Sequence, residues 1–100
     1  MRRRIRFLPG ADADLAELDE LLTREQGPAV AAAWMDRIFD RIELLSILPG
    51  LGRRREQLHG VQLRGSVLKR WLIIVYEDRE DENLLVIRRI VSTRRVLYAR

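Results

Sequence analysis

Apolar and polar positions change period several times along the 100-residue chain, and each change marks an element. Residues 3–8 (RRIRFL) alternate Arg with Ile5 and Phe7. That is the period of two of a half-buried strand, and Pro9-Gly10 is expected to end it. From Ala11 the apolar residues fall at Ala11, Leu15, Leu18 and Leu22, which lie along one face of a helix. Asp12, Asp14, Glu17, Asp19 and Glu20 fill the remaining positions, the early acids favourable near the positive end of the helix dipole. Gly27-Pro28 then supplies a stop and a start, Gly as a C-terminal cap and Pro in the first turn of a new helix. A second helix is predicted over Pro28–Leu48, with Val30, Trp34, Ile38, Ile42 and Leu45 as its stripe and Ala31, Met35 and Phe39 widening it. So short a connection makes the pair an antiparallel hairpin, with Trp34 and Phe39 expected in the core.

Pro49-Gly50-Leu51-Gly52 ends the second helix, and Arg53-Arg54-Arg55 is placed in the loop that follows. A strand-like segment around Val61–Lys69 precedes two apolar runs, Trp71–Tyr76 (WLIIVY) and Leu84–Val91 (LLVIRRIV), both rich in β-branched and aromatic residues. The acidic stretch Glu77–Asn83 (EDREDEN) between them reads as the turn of an antiparallel hairpin. The first run scarcely alternates, which predicts a central strand covered on both faces. Ser92–Arg100 (STRRVLYAR) closes the chain. The order β-α-α-β-β-β makes an α+β domain spanning 1–100, with a helix hairpin packed on one face of a mostly antiparallel sheet. No helix remains for the other face, so that face is either polar or bound by something else.

Composition narrows the chemistry. A hydrophobic fraction of 47% against 34% charged is a globular balance. The absence of cysteine removes disulfides, thiol catalysis and zinc–thiolate sites together. Neither a run of about 20 apolar residues nor a signal-peptide pattern is found, so a soluble, cytoplasmic protein without a membrane partner is expected. Neither a cofactor nor a metal is called for. Charge is uneven: residues 1–48 hold seven Arg against nine Asp/Glu, whereas residues 49–100 hold twelve Lys/Arg against six Asp/Glu. The second half therefore presents a positive surface, suited to nucleic acid or to an acidic protein. Lys69 is the one lysine; a GC-rich coding sequence produces that bias as readily as selection for bidentate recognition of phosphate or carboxylate.

Five features, in order, resemble the RelE/ParE toxin superfamily, and its ParE-like branch in particular. They are Ala11-Asp12-Ala13-Asp14-Leu15 after a short strand; the small-residue run Ala29-Val30-Ala31-Ala32-Ala33; Leu45 with Pro49, Gly52 and Arg53; the aromatic–apolar strand Trp71 to Tyr76; and Ile87-Arg88-Arg89-Ile90 followed by Arg94-Arg95. Together they span nearly the whole chain. The resemblance implies a toxin held in a hetero-oligomer with a cognate antitoxin, whose C-terminal segment wraps it. The uncovered sheet face, or the groove beside the helix hairpin, is where an antitoxin helix or added strand is expected to dock.

The superfamily divides between two mechanisms. RelE-like members cut mRNA on the ribosome, which without metal requires a base, a stabiliser of the phosphorane charge and an acid. Here that reading would fall to Arg64 and Arg95 (or Arg94) for the phosphate and Tyr98 as acid, the last equally an aromatic anchor for the terminal segment. Trp71–Ile74 carries no basic residue, and His59 beside Gly60 reads as a surface loop residue. ParE-like members poison DNA gyrase by binding. On that reading Arg53, Arg54, Arg55, Arg94, Arg95 and Arg100 are the candidates for contact with gyrase or DNA, any of them equally a solvated surface charge, and Arg53 alternatively an ion-pair partner. A non-toxic interaction module of the same fold is the third reading.

Overall fold

The computed structural model describes residues 2–93. Its elements run β1 (Arg4–Phe7), α1 (Pro9–Gln26), α2 (Pro28–Ile47), a 3₁₀ turn (Pro49–Leu51), β2 (Arg53–Leu58), β3 (Val61–Leu68), β4 (Leu72–Arg79), a second 3₁₀ turn (Glu80–Glu82) and β5 (Leu84–Ser92). The strands form one sheet in the order β1-β5-β4-β3-β2. β1 lies parallel to β5, Ile5 opposite Leu85, and every other pair is antiparallel. The α+β class and the helix hairpin on one sheet face are as the periodicity predicts.

The α1 stripe Ala11, Leu15, Leu18 and Leu22 is buried, and from α2 so are Ala31, Ile38, Ile42 and Leu45. They close on Leu68, Leu72, Ile74, Tyr76, Leu85, Ile87 and Ile90 of the sheet. Trp34 and Trp71 meet edge to face at 4.6 Å between ring centroids, pinning the start of β4 to α2.

Four expectations need correction. Pro9-Gly10 does not merely end β1: Pro9 opens α1, its fixed φ and missing N–H suiting the first helical turn. Phe39 is 46% exposed and touches the fold through Phe7, at 6.0 Å, because the α2 stripe turns away from the sheet there. The acidic stretch is not all turn. β4 runs on to Arg79, and Glu77 is buried within it. Finally, Arg53-Arg54-Arg55 lies not in a loop but in β2, an additional edge strand. Arg53 pairs with Gly65 and Leu58 with Val61 across the two-residue turn His59-Gly60. Both turn residues have positive φ, 51° and 79°, as a tight hairpin turn with right-handed strand twist requires.

β4 is central, yet only its helix side is closed: Leu72, Ile74 and Tyr76 are buried whereas Ile73 and Val75 are half-buried. A shallow groove of about 540 Å³ lies over the open side. Leu58, Leu63, Val75 and Val91 line it together with Glu56 and Arg88, so this face is apolar in its floor and charged at its rim.

Candidate functional site

A protein with this much arginine is best read by asking which guanidiniums the fold itself uses. Arg89 donates to both carboxylate oxygens of Asp14, at 2.7 and 3.0 Å. The same carboxylate accepts the backbone N–H of Ile90 at 2.8 Å. β1 pairs with β5 only as far as Ile87, so Asp14 satisfies a strand-edge donor beyond the end of β1 and ties α1 to the sheet. Its hydrogen bond holds the Arg89 guanidinium above the ordinary arginine range. Arg3 is spent in the same way on Asp78, at 2.8 Å.

Glu77, 1% exposed, sits between Arg79 and Arg88, the latter at 2.6 Å. Burial alone would raise its carboxyl above the ordinary value. The hydrogen bonds from the two guanidiniums outweigh burial and lower it. A carboxylate held ionised by two cations is a poor proton acceptor, so this buried triad is a strut of the sheet.

Arg64 has a structural task as well. It donates to Gly52 O at 2.8 Å, bracing the turn after α2. The phenol of Tyr76 closes that turn from inside the core: Tyr76 Oη donates to Pro49 O at 2.6 Å and accepts the Gly52 N–H at 2.9 Å. A Cβ on Gly52 would lie 2.6 Å from that oxygen, although the backbone there, at φ −75° and ψ 153°, is one any residue adopts. Gly52 is therefore required for space. Burial pushes the Tyr76 phenol above its ordinary value, against the opposing pull of the Gly52 N–H and the Arg64 charge. The Pro-x-x-Gly segment and the tyrosine at the end of the apolar strand, distant in sequence, are one joint.

Among the described residues, the side chains of Arg53, Arg54 and Arg55 form no ion pair, so the alternative of Arg53 as an ion-pair partner finds no acid there. All three are exposed on the edge strand β2. Beside them is a notch of about 230 Å³ with Arg41, Arg53 and Arg55 around Leu51, Ser66 and Val67. Arg41 was no sequence candidate. It reaches this corner from α2, donating to Ser66 Oγ at 2.9 Å and Val67 O at 3.1 Å, and its spacing on the helix gave no sign of that. His59 is exposed at the tip of the β2–β3 turn. Arg94, Arg95, Tyr98 and Arg100 lie outside the described residues. Among the described residues no group of His, Asp and Glu could hold a metal ion, and no helix is long and apolar enough to cross a membrane.

The family model for the ParE toxin of the type II toxin–antitoxin system parDE matches residues 5–97. The chain belongs to the ParE toxin family. No curated protein sequence matches it. Among solved structures, this ParE-family chain is similar to one in the chromosomal ParDE toxin–antitoxin system from P. aeruginosa. The TM-score is 0.73 at 20% identity, over 91% of this chain and 96% of that one. It is also similar to a chain of the RelBE2 toxin–antitoxin complex from Mycobacterium tuberculosis, with a TM-score of 0.59 at 22% identity over 92% and 99% of the two chains. At these identities the likeness is one of fold, shared by ParE and RelE systems alike, and the choice of mechanism returns to the residues.

Proposed function

We propose that this ParE-family toxin acts by binding, with DNA gyrase as its target, and that a cognate antitoxin neutralises it in a hetero-oligomer. The observation that carries the reading is the sorting of the arginines. Arg64, the RelE-like candidate within the described residues, is committed to the carbonyl of Gly52, and the buried carboxylate of the sheet is locked between Arg79 and Arg88. Neither is placed to take or give a proton to a substrate. The uncommitted cations Arg53, Arg54 and Arg55 stand instead along an exposed strand edge, an arrangement for contacting a surface. Arg94, Arg95 and Arg100 join this set from the sequence alone.

Expression from a tightly controlled promoter tests the proposal. Growth arrest with induction of the DNA-damage response is the expected result. Prompt mRNA cleavage without DNA damage would establish the ribosome-dependent nuclease instead. A folded, soluble protein with no effect on growth would make the chain an interaction module.

A further inference from the structure

The pairing of β2 with β3 ends at Gly65, opposite Arg53, but β3 runs on to Leu68. Among the described residues Ser66–Leu68 has no strand on that side. The Val67 carbonyl points outward there, since Arg41 reaches it; in an extended strand the N–H of the same residue points the same way. Such an open edge is a template for another strand. Its surroundings are apolar as well as basic: Leu44, Leu51 and Val67 are each at least 40% exposed. A second depression, of about 320 Å³, continues the notch along α2 past Arg37, Asp40, Leu44 and Lys69 and shares Arg41 with it.

We propose that this corner receives an extended acidic–apolar segment of the antitoxin, which adds a strand to β3 at Ser66–Leu68 and sets a carboxylate among Arg41, Arg53 and Arg55. The inference rests on the toxin–antitoxin reading and names the chemistry of the contact. A carboxylate suits the notch because guanidiniums bind it through paired, charge-assisted hydrogen bonds. A second copy of this chain does not suit it, since two such edges would bring two sets of arginines together. A nucleic-acid backbone would leave Leu44, Leu51 and Val67 uncovered and the strand edge unpaired. Because Arg53 and Arg55 also belong to the proposed target contact, the antitoxin segment neutralises the toxin by occupying the same side chains.

The full chain and the small protein encoded beside it are used together. Amide hydrogen exchange on the wild-type complex should show new protection at Val67. Arg53→Glu/Arg55→Glu should weaken binding by about tenfold or more, an effect shrinking with added salt. Arg54→Glu, adjacent in sequence but not lining the notch, should change it less than about twofold, as a rim charge does. Equal losses from Arg54→Glu and the pair would mean general charge attraction and overturn the site, as would unchanged exchange over residues 66–68. A mixed-sequence DNA duplex is the second probe: loss of duplex binding with antitoxin affinity intact would make the notch a nucleic-acid contact and overturn the proposal. Failure of the wild-type chain to bind the neighbouring protein at all would instead remove the toxin–antitoxin reading on which it rests.

Discussion

Substituting Gly52 by Ala puts one methyl group into the joint between the α2 turn and the sheet. That Cβ would stand 2.6 Å from Tyr76 Oη, 2.8 Å from Tyr76 Cε1 and 3.0 Å from Gly65 O. All three approaches are well inside van der Waals contact, and two of the atoms belong to a ring packed in the core. Overfilling of this kind costs about 1–3 kcal/mol. Displacing the phenol also strains its hydrogen bonds to Pro49 O and from Gly52 N–H, each contributing about 1 kcal/mol. A total near 3 kcal/mol would lower Tm by roughly 15 °C in a domain of this size. Tyr76→Phe leaves the Pro49 carbonyl without its donor and the Gly52 N–H without its acceptor, at about 1–3 kcal/mol. The double variant decides whether the geometry is right. Without the phenol oxygen the tightest contact disappears, so the two losses should fall short of adding by about 1 kcal/mol or more, as neighbouring sites do. Urea titrations followed by far-UV circular dichroism measure all four corners of the cycle. Additivity within about 0.5 kcal/mol, or a cost for Gly52→Ala below that figure, would refute the reasoning.

Other expectations follow from the same contacts. Asp14→Ala should cost about 1–3 kcal/mol in equilibrium unfolding, because it strands the Ile90 N–H and frees the largely exposed Arg89. Asp14→Asn retains an acceptor for Ile90 and should cost less. Glu77 has a lowered carboxyl, so its contribution is present above its unfolded value of about 4.3 and is lost as pH falls through the folded one. Acid titration of Glu77→Gln, less stable at neutral pH, should show a shallower fall below about pH 4.3 than wild type. Tyr76 has the opposite sense: its phenol is raised, so its contribution is intact below about pH 10 and is lost as pH rises through the folded value. Tyr76→Phe should therefore flatten the alkaline limb of the stability curve, in a chain with a single lysine and no cysteine. Gly65→Ala sets a methyl group 2.6 Å from Arg55 Cδ, a flexible stem that swings aside. Thermal stability should change by less than about 1 kcal/mol, while antitoxin affinity falls because Arg55 leaves the notch.

Burial decided what could be read from the chain alone. The helix hairpin was visible because Leu15, Leu18, Leu22, Ile38, Ile42 and Leu45 repeat at the helical period and are all buried. β2 was invisible because RRREQL is exposed along its whole length, so that backbone pairing holds it and no alternation betrays it. The one signal was the His59-Gly60 pair, whose tight turn implies a strand on either side. Glu77 looked like turn because carboxylates seldom lie inside sheets. The two arginines that compensate it, Arg79 and Arg88, stand two and eleven residues away, and only the register of β4 on β5 brings the second to it. Asp14 was recognisable as part of a family pattern, but the strand-edge N–H it satisfies lies 76 residues on. The candidate site divided likewise. Arg53, Arg54 and Arg55 stood out as a run, whereas the role of Arg64 and the approach of Arg41 depend on tertiary contacts that no spacing records.

The central claim is that this ParE-family toxin inhibits by binding and does no chemistry of its own. Purified gyrase with relaxed plasmid, set beside translating ribosomes carrying a defined mRNA, tests it most directly. Loss of supercoiling at toxin concentrations near those of the enzyme, with the mRNA intact and with Arg53→Glu/Arg55→Glu inactive, is the expected outcome. Undiminished supercoiling together with cut mRNA would overturn it.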